Sequence, residues 1–198
     1  MSFDVFAMPA LIILLLMAVL LLISNDWRLS ISAIGAMYIG VFVLVALSWP
    51  LELAVAKLVA GWISASVLGM SLFNLPGASK QKNPYSVSEI IFRISSAGLV
   101  GLVSLSLAPR LLGVFPGASI EQVLGGILLV FFGVLQLGFT AEPLRIILGL
   151  LTILGGFEIL YAIIEDSILV AGFLAVINMG LAMVGAYMII SPTLEVEE

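Results

Sequence analysis

The sequence contains no cysteine and no histidine among its 198 residues. It therefore has no disulfide framework, no thiolate nucleophile and no imidazole to bind zinc or haem. Charge is scarce as well: 10% of the residues are charged, and no basic cluster of the kind that binds nucleic acid occurs. Neither a GxGxxG motif nor a P-loop lysine is present, and no serine has a histidine to activate it. We expect no resident cofactor, no metal and no catalytic site in this chain.

What the chain has instead is long apolar runs. With 63% hydrophobic residues and a mean hydropathy of +1.32, it lies far outside the range of soluble domains, which are about half apolar. The runs are about 18 to 22 residues long, enough to cross roughly 30 Å of hydrocarbon as helices. They predict one all-α, polytopic integral membrane domain, 1–198, with seven spans at about 5–24, 29–49, 51–72, 90–108, 123–140, 144–164 and 167–190.

The segments outside the spans are mostly short. The N-terminal run has no basic segment before it and no clear cleavage site, so we expect it to be kept as the first helix. A polar loop covers 73–89 and ends in a predicted capping box, Ser86 to Glu89, that starts the fourth helix. An acidic tail covers 191–198.

The charges divide between the two ends of the predicted spans. One end carries most of the basic residues: Arg28, Lys80, Lys82, Arg93 and Arg145. The other end carries Arg110 with the acids Asp4, Glu52, Glu121, Glu165 and Asp166. The positive-inside rule then predicts a multi-pass protein of the cell's plasma (inner) membrane, with its N-terminus outside and its C-terminus in the cytoplasm.

A weak internal repeat connects the two halves of the chain. A shift of about 117 residues lays the segment that starts at Arg28 over the one that starts at Arg145, and both are followed by a corner and another span. This predicts two parallel three-helix units, 5–72 and 120–190, with the fourth helix as the extra span between them. Such repeats are frequent in transport proteins.

Two ionisable side chains lie inside predicted spans, Lys57 in the third and Glu158 in the sixth. A charge near the bilayer centre costs about 2.5 to 3.5 kcal/mol on insertion scales, so such groups usually face a partner or a wet cavity. Each lies about seven residues from the same end of the bundle, hence at about 10 Å depth, and the two could be partners. They could belong to a proton path, form a static ion pair, or extend separately toward the surface.

Other polar groups at membrane depth are candidates for the same path. Asn178, near the middle of the last span, belongs with Glu158, and Tyr161 and Gln136 complete the predicted set. The competing interpretation is structural, because amides in membrane helices often join neighbouring helices and contribute about 1 kcal/mol. Small residues at a spacing of four predict close helix packing: Gly61, Ala65 and Gly69 in the third span, and Asn178, Ala182 and Ala186 in the seventh.

The C-terminal third resembles a known family. The segments GILLVFFGVLQLGFTAEPLRIILGLLTILGGFEILYAII and SILVAGFLAVINMGLAMVGAYMI are similar to the K subunit of complex I, the proton-pumping NADH:quinone oxidoreductase. That family has a Gly-Leu-Glu with a functional buried carboxylate, and Gly156-Phe157-Glu158 matches it. The related E component of formate-hydrogenlyase-type membrane-bound hydrogenases has about this length and seven helices, and Lys57 stands where it has a lysine.

The resemblance implies a non-catalytic membrane subunit of a redox-driven, proton-translocating complex, with other membrane subunits and lipid as its partners. Glu158 and Lys57 would contribute to an intramembrane polar path. Both families have a second acid in the last helix, whereas this chain has Asn178, whose amide does not exchange a net proton near neutral pH. A structural or assembly subunit with a degenerate relay is therefore a second hypothesis, and a small stand-alone transporter is a third.

Overall fold

Seven α-helices make up nearly all of the described part of the chain. The computed structural model describes residues 4–73, 85–115 and 117–194, without the side chains of Asp4 and of residues 192–194. The helices are α1 (Asp4–Ile23), α2 (Trp27–Val45), α3 (Leu51–Phe73), α4 (Val87–Leu112), α5 (Ile120–Phe139), α6 (Pro143–Ile164) and α7 (Ile168–Leu194). All seven are long and apolar enough to cross a membrane. The predicted all-α, seven-span membrane fold is confirmed, while most of the polar loop, with Lys80 and Lys82, and the end of the acidic tail lie outside the described residues.

The helix ends differ from the predicted ones most at α4. Its first turn begins with Ser86, whose hydroxyl accepts a hydrogen bond from the Glu89 amide, but the Glu89 carboxylate pairs with Arg93 at 3.1 Å. Ser86 is thus a cap as predicted, and Glu89 is engaged in an ion pair with its own helix. A reciprocal capping box forms at the start of α5 instead, between Ser119 and Gln122.

The bundle consists of two rows of three helices, α1–α2–α3 and α5–α6–α7. Helix α1 contacts α5, α2 contacts α6, and α3 contacts α7, so each helix meets the one four places later in the chain. Helix α4 lies at the edge, against α5 and α1. The pairing follows the proposed repeat units helix by helix, although a common origin of the two units stays a prediction.

The closest approach in the bundle joins α5 to α6. A Cβ atom added to Gly156 would lie 2.5 Å from the carbonyl oxygen of Gly126, and one added to Gly133 would lie 2.7 Å from that of Gly149. Only glycine allows two helix backbones to come this close. This contact fixes one face of α6, and Glu158 lies buried near the far end of the same helix.

The predicted small-residue positions lie on α3 and α7, two helices that contact each other. Gly61, Ala65 and Ala182 are buried. A Cβ on Gly69 would be 3.4 Å from the Ile31 side chain, while Ala186 is half-buried. The neighbouring Gly185 is packed more closely than Ala186, because a Cβ added to Gly185 would lie 2.7 Å from Ile147 and 3.0 Å from Leu68.

Candidate functional site

The two intramembrane charges meet. Lys57 Nζ donates to Glu158 Oε1 at 2.9 Å, and the two side chains are 1% and 0% exposed. Lys57 comes from the second turn of α3, and Glu158 from the second-last turn of α6. The depth match in the sequence therefore corresponds to a contact between the two rows of the bundle.

Asn178, on α7, reaches the same carboxylate. Its Nδ2 donates to Glu158 Oε1 at 3.1 Å, so this single oxygen receives two donors. The other oxygen, Glu158 Oε2, is buried and has no hydrogen-bond partner among the described residues. A buried polar atom without a partner is uncommon in proteins and calls for an explanation.

A fourth residue, Tyr38 of α2, completes the network. Its hydroxyl donates to Asn178 Oδ1 at 2.6 Å, and the side chain is 0% exposed. The sequence offered one signal for it, a hydroxyl in the middle of an apolar span, but a tyrosine there is compatible with simple core packing. Its ring lies against α3, where a Cβ on Gly61 would be 2.3 Å from the ring carbons.

The network thus takes one residue from each of α2, α3, α6 and α7. Within it Lys57 is the cation, Glu158 the acid, and Asn178 the amide that links the acid to the Tyr38 hydroxyl. In a low-dielectric interior an ion pair recovers its desolvation cost only when the remaining donor and acceptor positions are also satisfied. Here the carboxylate is satisfied on one oxygen only.

Tyr161 lies outside this network. It is half-buried one turn beyond Glu158, and its hydroxyl donates to Glu165 Oε2 at 3.4 Å. Its ring stacks on Phe157 and meets Trp49 edge to face, with ring centroids 6.0 and 6.3 Å apart. The Trp49 indole donates to the Glu165 carbonyl at 2.8 Å, so this aromatic group joins the α2–α3 corner to the α6–α7 corner.

Gln136 also lies apart from the network. Its side-chain amide donates to the carbonyl oxygen of Arg145 at 3.2 Å and so ties the end of α5 to the first turn of α6. Ser64 and Thr152 donate to carbonyls one turn back in their own helices, as expected for hydroxyls in apolar helices. The proton-path role of Gln136 and Tyr161 remains a prediction without a contact to Glu158.

A second buried polar cluster lies at the opposite end of the bundle, which we call the arginine end because it carries Arg28, Arg93 and Arg145. The Arg93 guanidinium donates to the Leu22 carbonyl, and that of Arg145 donates to the Ser24 carbonyl, so the two cap the last turn of α1. Both guanidinium groups lie over the Tyr85 ring, at 4.1 and 5.2 Å from its centroid. Glu89 and Glu142 form ion pairs with them, so this cluster is balanced in charge. Arg93 Nε and Arg145 Nη1 are buried without a hydrogen-bond partner among the described residues.

Comparison of the chain with protein-family models, with curated proteins and with solved structures found no match.

Proposed function

We propose that this multi-pass membrane protein is a subunit of a redox-driven proton-translocating complex, similar to the K subunit of complex I and the E component of membrane-bound hydrogenases. Its part is to hold and pass protons within the membrane at Glu158, with Lys57 as the paired base. The resemblance of the Gly156-Phe157-Glu158 segment suggests the complex. The observation that carries the proton role is the fully buried Lys57–Glu158 pair with one free carboxylate oxygen.

The free oxygen of Glu158 gives a buried acid an open position for a proton. The unpartnered nitrogens of Arg93 and Arg145 differ in this respect, because an arginine does not release its proton in a protein. A purely structural pair is stabilising only when its remaining polar atoms are satisfied, and well-packed apolar residues would often serve as well. Glu158 Oε2 accepts no hydrogen bond, so a proton can bind there without displacing a donor. Protonation at Oε2 leaves the hydrogen bonds from Lys57 and Asn178 to Oε1 in place.

Lys57 gives the pair a second proton position. Transfer of a proton from Nζ to the carboxylate across 2.9 Å would make both groups neutral without changing the total charge of the site. Arrival of a further proton from a neighbouring group would then restore the ammonium and leave Glu158 protonated. Two strongly coupled groups of this kind take up and release protons as a unit.

Partner membrane subunits would pack against the outer faces of the bundle. The outward faces of α4 and α7 are rich in exposed apolar side chains, among them Leu99, Leu102, Phe173 and Met183, and in a membrane protein such faces meet lipid or other membrane helices. We assign the arginine end to the cytoplasm and the protein to the plasma membrane. Larger antiporter-like or quinone-site subunits would then deliver protons to Glu158 and remove them.

Extraction in mild detergent followed by identification of the co-purifying chains tests membership in a complex. Inside-out membrane vesicles are then supplied in turn with NADH, formate or hydrogen, and proton uptake is followed with a pH-sensitive dye. Glu158→Gln should lower the number of protons moved per electron while the complex stays assembled. The matched control is Glu165→Gln, at the exposed end of the same helix; unchanged proton uptake in Glu158→Gln would refute the proton role.

A second candidate is a structural or assembly subunit that keeps the scaffold and not the relay. The observation in its favour is that α7 offers Glu158 an amide, Asn178, and no second acid. On this hypothesis Glu158→Gln leaves proton uptake unchanged, while removal of the whole chain dissociates the complex on a native gel. Purification of the chain without any partner would instead favour a small stand-alone transporter.

A further inference from the structure

Tyr38 makes no hydrogen bond to Lys57 or Glu158, but it hydrogen-bonds the Asn178 amide that donates to Glu158. An asparagine amide has an acceptor end, Oδ1, and a donor end, Nδ2. Tyr38 donates its hydroxyl hydrogen to Oδ1, and this leaves Nδ2 directed at Glu158 Oε1. If the amide were reversed, two acceptors would face each other at Glu158, and that arrangement would be tolerated only by a protonated carboxyl group.

We propose that Tyr38 is a positioning residue for Glu158: it holds the Asn178 amide with its donor end toward the carboxylate and so favours the ionised form of Glu158. The inference deepens the proposed function, on which it rests for its consequence that Tyr38 controls how readily the relay takes up a proton. The hydrogen bonds themselves do not depend on that function.

The packing of Tyr38 restricts the movement of its ring and hydroxyl. The side chain is 0% exposed, and its ring rests on Gly61, where a Cβ would come within 2.3 Å of it. A fully buried ring that packs against Gly61 keeps its hydroxyl at a fixed place against α7, because a core side chain cannot shift without displacing its neighbours. Gly61 is thus the position on α3 that makes room for this arrangement.

Few other charged or titratable groups face Glu158. Lys57 comes from α3 and Tyr38 from α2. Helix α5 carries Glu121 in its first turn as its one ionisable residue. Helix α7 carries Tyr187, which is 69% exposed and lies about two and a half turns from Asn178 toward the arginine end. On α6 itself, Tyr161 bonds to Glu165. The protonation of Glu158 should therefore respond mainly to Lys57 and to the Tyr38–Asn178 pair.

The test measures the protonation of Glu158 in the full chain in lipid nanodiscs by infrared difference spectroscopy across a pH titration, with the Glu158→Gln variant used to assign the carboxyl band. We expect Asn178→Leu to lower the ratio of ionised to protonated Glu158 about tenfold at a given pH, as for the loss of one hydrogen bond to a charged group. Tyr38→Phe should lower the ratio at least about threefold. The double variant should change it no more than Asn178→Leu does, since Tyr38 acts through Asn178.

The control is Tyr187→Phe, which should leave the ratio unchanged. Replacing Tyr38 with 3-fluorotyrosine keeps the packing and strengthens the hydroxyl as a donor, so it should raise the ratio; this variant serves if Tyr38→Phe does not fold. A folded Tyr38→Phe with a lowered Tm and an unchanged ratio would overturn the inference, as would independent effects of Tyr38→Phe and Asn178→Leu. If Glu158→Gln leaves proton translocation unchanged while Tyr38→Phe shifts the ratio, the proposed function fails and the positioning role stands.

Discussion

Lys57 and Glu158 lie 2.9 Å apart inside the bundle, although 101 residues separate them in the chain. Lys57 belongs to the row α1–α2–α3 and Glu158 to the row α5–α6–α7, so the pair connects the two rows. Since neither side chain is more than 1% exposed, each charge depends on the other for compensation. Lys57 and Glu158 therefore link the two rows, and their contributions to the stability of the fold should be strongly coupled.

This coupling predicts that single replacements harm the fold more than a double one. Lys57→Met leaves Glu158 buried without its cation, and Glu158→Met leaves Lys57 without its anion; each should cost about 3 to 5 kcal/mol of unfolding free energy. The double variant Lys57→Met with Glu158→Met removes both charges and should lose only about 1 to 3 kcal/mol, because the buried Asn178 amide loses its acceptor on Glu158. Unfolding by SDS in mixed micelles, followed by circular dichroism, measures the three free energies.

The exposed acid Glu165 supplies the control for this cycle, because Glu165→Met should change the unfolding free energy little. A double variant as unstable as the two single variants combined would show that the pair is not coupled. If the double variant is stable and also retains proton uptake, the pair is dispensable for both fold and relay, and the structural interpretation of the chain is favoured.

The sequence was sufficient for the helices and for this pair because the bilayer imposes strict rules. A span must be about 20 apolar residues long, and a charge within it must find compensation, so equal depth identified Lys57 and Glu158 as possible partners. Tyr38 could not be identified in this way, since a tyrosine in an apolar helix is equally compatible with ordinary packing. Gln136 is the opposite case, a residue that the sequence suggested but the contacts do not join to the pair. Its polarity at membrane depth suggested a place in the proton path, but α5 lies close to α6 there and the Gln136 amide donates to the Arg145 carbonyl.

The close crossing of α5 and α6 was not predicted either, although the spacing of their glycines carries a signal for it. Gly126 and Gly133 on α5, like Gly149 and Gly156 on α6, are seven residues apart, and in an antiparallel pair this spacing brings Gly126 to Gly156 and Gly133 to Gly149. Identical spacing on adjacent helices indicates a close crossing only once the two helices are known to be neighbours. The connection between α5 and α6 is only three residues long, 140–142, and a connection this short favours antiparallel neighbours.

This crossing predicts a large difference between two glycine-to-alanine replacements on the same pair of helices. In Gly156→Ala the new methyl group would meet the Gly126 backbone at 2.5 Å, so the helices must separate, at a cost of about 1 to 3 kcal/mol. In Gly138→Ala the methyl group would enter open space, and the higher helix propensity of alanine should leave stability equal or slightly improved. The same SDS titration compares them; equal stability of the two variants would contradict the close crossing.

The absence of cysteine makes the predicted orientation directly testable with single introduced cysteines. Ala141→Cys, in the exposed α5–α6 connection at the arginine end, and Asp166→Cys, in the exposed α6–α7 corner, report on opposite faces of the membrane. Both variants keep every Lys and Arg, the residues that set the orientation of the protein in the membrane. The loss of Asp166 has little influence on that orientation. A membrane-impermeant maleimide added to intact cells should label the Asp166→Cys variant and not the Ala141→Cys variant, while permeabilised cells should show labelling of both. The reverse pattern would place the arginine end outside, and the Lys57–Glu158 pair would then lie about 10 Å from the cytoplasmic surface, on the side from which a redox-driven pump takes up its protons.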